Sequence, residues 1–225
     1  MSDLAARLAA IHGRIDAACR RAGRDPRAVT LVAVTKTHPV ETVHAALDAG
    51  LTAFGENKVQ ELAAKREALA SAPAVWHYLG RVQTNKARDI VRYADLIHGV
   101  DSLRAGEALA RRMEAEGRRV PVLVQVNVSG EASKAGVGPD EAATLVDGLR
   151  GLGLDVHGLM TLASPADDPE AVRPEFARMR RLRDDLGGAD RLPILSMGMS
   201  GDFEVAVEEG ATHVRVGSAL FGDRA

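Results

Sequence analysis

The sequence predicts a single TIM-type (β/α)8 barrel with an additional N-terminal helix. Three observations lead there. Short apolar runs alternate with amphipathic helical stretches from end to end, the linear order of a parallel sheet. The runs are solid rather than alternating, as in "TLVAVT", which suits strands covered on both faces. Eight such runs follow one another with no Pro-, Gly- or Ser-rich linker, and no GxGxxG follows the first, so a doubly wound dinucleotide sheet loses its simplest support. Residues 1–225 are therefore read as one domain.

Each element has a local reason. Leu4, Leu8, Ile11 and Ile15 recur at three to four residues, the period of an amphipathic helix, and Gly23 suits its end. This helix is expected outside the barrel or across its bottom. Val29–Thr35 reads as the first strand. Pro39 suits a first helical turn and Gly50 the end of that helix. "LTAFGEN" then precedes the helical "KVQELAAKREALA", and "VWHYLG" precedes "QTNKARDIVRYA". "LIHGVDS", "VPVLVQVNVS", "LDVHGLMTLA", "LPILSMGMSGD" and "THVRVGSALFG" continue the series, the second and fourth strands being the shortest signals.

The bulk numbers exclude several functions. At 225 residues and 46% apolar, the chain is long enough for one sizeable core. Aromatics are only 3%, so that core is built from Ala, Val and Leu. A net charge of −2 gives no general basic surface for nucleic acid or anionic lipid. The single cysteine, Cys19, cannot pair within the chain, and the seven histidines show no metal-ligand spacing, so no metal is expected. Neither a secretory leader nor a membrane span is visible, and a cytoplasmic location is expected.

A barrel places functional groups at the C-terminal ends of its strands. Lys36 ends the first strand, and Glu56 and Asn57 the second. His77 lies on the third, with Arg81, Gln83 and Asn85 beyond. Asn127, Ser129, Met160 and Thr161 follow the next ones, then Ser196, Met199 and Ser200, and finally Arg215, Gly217 and Ser218. Taken singly, each has a plain reading: a solvated lysine, a core histidine, a helix-capping asparagine. Convergence on one mouth is what raises their interest.

Glycine turns follow the seventh and eighth strands, in "SMGMSGD" and "RVGSALFG". In barrels these loops often cradle a phosphate with backbone amides. A lysine at the same mouth can form a Schiff base with an aldehyde once it loses its proton. Pyridoxal 5'-phosphate (PLP) carries both groups, but a phosphosugar aldolase would use the same two features.

Five stretches carry a resemblance: "VAVTKTHP", "FGENKVQE", "WHYLGRVQTNK", "VNVSGEASKAG" and "LSMGMSGD...VRVGSALFG". They span residues 32–222, and together they resemble the pyridoxal-phosphate homeostasis protein family, also called the YggS/PROSC family. The resemblance implies a barrel related to the N-terminal domain of alanine racemase, with PLP as an internal aldimine on Lys36. It implies phosphate binding by Ser200, Gly217 and Ser218, with the Met199 backbone nearby. It places Arg215 against the pyridine nitrogen, Asn57 and His77 around the ring, and Lys134 near the mouth. The family often has proline in place of Arg81 and threonine in place of Ser218; serine keeps the hydroxyl.

The same resemblance implies a non-catalytic role in vitamin B6 homeostasis, by reversible storage of PLP or its delivery to apo PLP-dependent enzymes. Racemization needs a second base, which alanine racemase takes from a tyrosine of another domain. Here the two tyrosines, Tyr78 and Tyr93, sit on a strand and a helix. A weak racemase or lyase is the alternative. An interaction or RNA-binding module is another, resting on the basic strip Arg81, Lys86 and Arg88. No nucleic-acid partner is expected, and a monomer is.

Overall fold

The computed structural model describes residues 3–131 and 134–222. Helix α1 (Asp3–Arg21) leads into β1 (Thr30–Val34) and α2 (Val40–Asp48), then β2 (Ala53–Glu56) and α3 (Val59–Ala68). β3 (Val75–Arg81), α4 (Ala87–Tyr93), β4 (Leu96–Val100) and α5 (Leu103–Ala115) follow. The second half runs β5 (Val122–Gln125), α6 (Ala142–Gly151), β6 (Val156–Met160), α7 (Arg173–Asp185) and α8 (Gly188–Arg191). It ends with β7 (Ile194–Ser196), α9 (Phe203–Glu208), β8 (His213–Val216) and α10 (Ser218–Phe221).

The eight strands close into a barrel in sequence order. Every pairing is parallel, and β1 closes on β8 through Thr30–His213 to Ala33–Val216. The predicted barrel is what forms, short second and fourth strands included. Pro39 differs slightly from expectation: at φ −72° and ψ 168° it is the extended residue before α2, not part of its first turn.

The solid apolar runs conceal an alternation. Leu31 and Ala33 of β1, Trp76 and Tyr78 of β3, Ile97 of β4 and Val214 and Val216 of β8 belong to the large core between barrel and helices. Strand neighbours point to opposite faces, so the intervening residues fill the barrel interior. Leu96, Leu123 and Met160 form a separate small apolar cluster with Ile194 packed on it. His77, His98, Gln125, Ser196 and Arg215 share the inward parity and are all buried. The barrel interior is thus apolar in one part and polar in another.

Helix α1 lies outside the barrel. Its buried face of Leu8, Ile11, Ile15, Ala18 and Cys19 meets α9 and α10. Arg14 reaches Glu204 at 2.8 Å and Arg21 reaches Glu208 at 2.5 Å along the rim of that contact. Exposed pairs of this kind add little, so apolar burial carries the docking. Among the described residues, no helix is long and apolar enough to cross a membrane.

Candidate functional site

Lys36 follows β1 in a tight turn closed by the His38 amide donating to the Thr35 carbonyl at 3.0 Å. Thr37, the third residue of this turn, has φ +67°, and is the one non-glycine residue with positive φ among those described. A β-branched residue there is strained by about 1–3 kcal/mol, and such turns ordinarily place Gly or Asn at that position. The Glu61 carboxylate, on the first turn of α3, accepts from the Thr37 amide at 2.8 Å. Burial alone would raise the Glu61 carboxyl, but the Thr37 amide and Lys58 outweigh it and hold it below its ordinary value.

The residue before Lys36 is held as well. The Thr35 hydroxyl donates to Glu56 Oε1 at 2.6 Å. Lys65 Nζ donates to the Thr35 carbonyl at 2.6 Å and to Glu56 Oε1 at 2.5 Å. Glu56 is fully buried, and its second oxygen has no hydrogen-bond partner. Burial pushes the Glu56 carboxyl up, against the pull of Lys65 and Thr35.

Across the mouth, the loops after β7 and β8 meet. Gly198 has φ +94°, and a Cβ there would stand 2.6 Å from the Ala206 Cβ, so only glycine lets the loop fold back over α9. The turn brings Ser200 to the start of α10, where its Oγ accepts from the amides of Gly217 and Ala219 at 3.3 Å each. Two amides converging on one oxygen at a helix start form a cradle for an anion's oxygen. A Cβ on Gly217 would lie 3.3 Å from the Val34 carbonyl, which keeps β8 tight against β1.

Lys36, His38, Asn57, Met199, Ser200, Arg215, Gly217 and Ser218 line one cavity of about 640 Å³. Val34, Leu79, Met160 and Leu162 supply apolar wall. The volume lies in the range of small-molecule sites, and a few polar groups on an apolar wall fit such a site.

Seven of the eight residues expected from sequence therefore meet. His77 does not: it points into the barrel, 3% exposed, and is not among the residues lining the cavity. The inward parity of β3 puts its Nδ1 2.9 Å from His98 Nε2. His98 Nδ1 lies 3.0 Å from the Ser196 hydroxyl, and Arg215 donates to that hydroxyl at 2.7 Å. Arg215 donates again to the Thr161 carbonyl at 2.8 Å, so two buried acceptors fix its guanidinium. Burial lowers Arg215 to about 10, with Asp202 pulling it back up, and it stays charged at neutral pH. Burial also lowers His77 to about 3 and His213 to about 4, and places His98 well below its ordinary value, so all three are neutral.

Other expectations resolve locally. Met199 lines the cavity, but its amide donates to the Asp202 carboxylate at 2.6 Å. Lys134 bonds Ser164 at 3.1 Å and Glu131 at 2.7 Å, and does not line the cavity. Asn127 caps no helix; its Oδ1 accepts from Ser129 and Gly130. Arg81 pairs with Asp101 at 2.6 Å and Arg88 with Asp89 at 3.1 Å, so the basic strip is interleaved with carboxylates. Among the described residues, no group of three or more His, Cys, Asp or Glu is placed to hold a metal ion. Sequence reading missed His38 and Leu79 in the cavity and the supports Glu61 and Lys65; the three-to-four-residue spacing of Glu61 and Lys65 behind "FGEN" was the available signal.

The family model of the alanine racemase N-terminal domain matches residues 6–225, which take in the whole barrel, Lys36 and the loops after β7 and β8. The chain belongs to this family and, within it, to the pyridoxal phosphate homeostasis proteins. It is 44% identical to the pyridoxal phosphate homeostasis protein of Pseudomonas aeruginosa, covering 100% of this chain and 97% of that one. It is 39% identical to the Escherichia coli protein of that name, covering 100% and 98%. Among solved structures, PipY of Synechococcus elongatus with PLP bound superposes with a TM-score of 0.84 at 36% identity, covering 98% of this chain and 100% of that one. An alanine racemase of Clostridium difficile shares the fold at 17% identity and TM-score 0.77, with 57% of that chain covered.

Proposed function

We propose that this protein binds PLP reversibly at the barrel mouth and serves its storage or delivery within the cell. The observation that carries this reading is the shared cavity: Lys36 on one wall, and the Ser200, Gly217 and Ala219 cradle on another. PLP supplies an aldehyde carbon to which an amine bonds with loss of water, and a phosphate dianion. Lys36 supplies that amine. Ser200, Ser218 and the amides of Gly217 and Ala219 hold the phosphate. Arg215, charged and fixed by Ser196 and Thr161, presents a cation that opposes protonation of a ring nitrogen beside it. Asn57, Leu79 and Met160 shape the wall around the ring. The PLP-bound PipY relative supports the assignment.

Strong catalysis on an amino acid would need a second proton-transfer group opposite Lys36. Neither tyrosine lines the cavity: the Tyr78 hydroxyl donates to the Arg81 carbonyl at 3.2 Å, and the half-buried Tyr93 bonds Glu67. The placement of the tyrosines favours a carrier, while His38 on the cavity wall is the imidazole that a racemase or lyase reading would have to use. Residues 1–225 act as one working unit, with apo PLP-dependent enzymes as recipients.

The test is direct. The protein, expressed with ample vitamin B6, is scanned for visible absorbance, reduced with borohydride, digested and mapped by mass spectrometry beside Lys36→Ala. A reduced PLP adduct on Lys36, lost in the variant, supports the reading. A colourless protein without adduct after added PLP sinks it. Transfer to an apo-enzyme and amino-acid turnover then separate carrier from catalyst.

A further inference from the structure

We propose that helix α3 is a clamp on the lysine turn: Glu61 and Lys65 hold the peptide groups on either side of Lys36 and thereby set the direction of its amine. The proposal rests on the reading of Lys36 as the PLP attachment point and extends it to two positioning residues outside the cavity.

The geometry is specific. Glu61 and Lys65 are four apart, so they project from one face of α3. Glu61 takes the amide of Thr37, and Lys65 takes the carbonyl of Thr35. Lys36 thus sits between two peptides anchored to one rigid element. The anchoring faces resistance, since Thr37 is held left-handed at φ +67°, where a β-branched side chain is disfavoured. Thr37 itself is exposed, so packing does not impose that conformation, whereas the Glu61 contact does bear on it. Lys58, 3.3 Å from Glu61, orients the carboxylate toward the turn.

The Lys65–Glu56 pair points the same way. Buried ion pairs are poor stabilizers, and apolar residues of similar volume often serve as well. What apolar residues could not do is bind Thr35 at both its carbonyl and its hydroxyl, as Lys65 and Glu56 do. The pair is best explained as a fixture for the end of β1. A lysine side chain has four rotatable carbons, and holding its backbone root narrows the set of directions its amine samples.

The experiment measures PLP affinity by absorbance titration, the fraction of Lys36 trapped by borohydride at fixed PLP, and the melting temperature of the apoprotein. Glu61→Ala is expected to weaken PLP binding about tenfold, the scale of one lost charge-assisted hydrogen bond, with little change in melting temperature. Glu61→Gln keeps an acceptor and should restore most of the affinity. Thr37→Gly makes the turn intrinsically favourable, so Glu61→Ala should cost much less in that background. Lys65→Met combined with Glu56→Leu removes both buried charges and should fold while binding PLP more weakly. Unchanged affinity in Glu61→Ala, or Gln behaving as Ala, overturns the Glu61 half. Unchanged affinity in the folded double variant overturns the Lys65 half. If wild type forms no adduct at Lys36, the functional reading itself has failed; a wild-type adduct with indifferent variants means that only the clamp has.

Discussion

The Arg215 guanidinium donates to the Ser196 hydroxyl across 2.7 Å, and this one bond gives direction to a chain through the barrel. With arginine donating to it, the hydroxyl keeps one hydrogen to give, and His98 Nδ1 lies 3.0 Å away. If the hydrogen goes there, His98 carries its own on Nε2 and donates to His77 Nδ1, 2.9 Å away; a hydroxyl accepting from both would reverse the chain. The first arrangement is the expected one: nitrogen NMR should find both histidines neutral with the proton on Nε2, and protons on Nδ1 would show the reverse. Ser196→Ala should leave Arg215 and His98 each short of a partner. The expected loss is about 1–3 kcal/mol in urea unfolding, and an unchanged midpoint would contradict it.

Two histidines held below their ordinary range predict an acid dependence. His77 at about 3 and His213 at about 4 lie below the ordinary 6.5, so the unfolded chain takes up protons first as pH falls. Their stabilizing contribution is complete above pH 6.5 and is lost as pH drops toward 4 and then 3. Each histidine adds at most about 1.4 kcal/mol per pH unit within that window. Glu56 and Asp202, both raised by burial, act in the opposite sense, so the total slope is a net one. His213→Leu should make urea midpoints between pH 7.5 and 5 less pH-dependent than in wild type; an identical slope would rule out His213 as a contributor.

Gly198→Ala should be costly. Its φ of +94° disfavours any side chain, and the added Cβ would meet Ala206 at 2.6 Å and the Phe203 Cα at 3.0 Å. A melting-temperature drop corresponding to about 1–3 kcal/mol is expected, together with weaker PLP binding because the loop carries Ser200. Gly201 serves as the control, since a methyl group added there would meet nothing within 4 Å: Gly201→Ala should leave the melting temperature close to wild type.

Ser200→Ala tests the cradle itself. The hydroxyl accepts from two amides, which fix it and leave its own hydrogen to donate to a phosphate oxygen. Loss of the serine should weaken PLP binding by about three- to tenfold while binding of pyridoxal, which lacks the phosphate, stays nearly unchanged. Equal loss for both ligands in a titration would place Ser200 away from the phosphate.

Much of the molecule was legible in the chain. The β1 run ending at Lys36 and the glycine turns at Gly198 and Gly217 announced the barrel mouth, because strand period, breakers and anion-binding loops are local properties. Seven expected residues met there because a parallel barrel brings all strand ends to one face. His77 carried two readings: beside Trp76 and Tyr78 a core histidine, and by resemblance a residue around the ring. It lies inside the barrel and is not among the residues lining the cavity, a choice that strands apolar on both faces conceal because they hide which parity points inward.

The sequence by itself determined the order of elements, the closed parallel sheet and the groups at its mouth, since each follows from short-range pattern and one topological rule. Tertiary structure alone decided the neighbours. Strand register set His98 of β4 between His77 of β3 and Ser196 of β7, 98 residues on, and joined them to Arg215. The packing of α3 against the end of β1 brought Lys65 to Thr35, 30 residues apart. Such contacts depend on where a closed barrel returns the chain, and no local pattern encodes that distance.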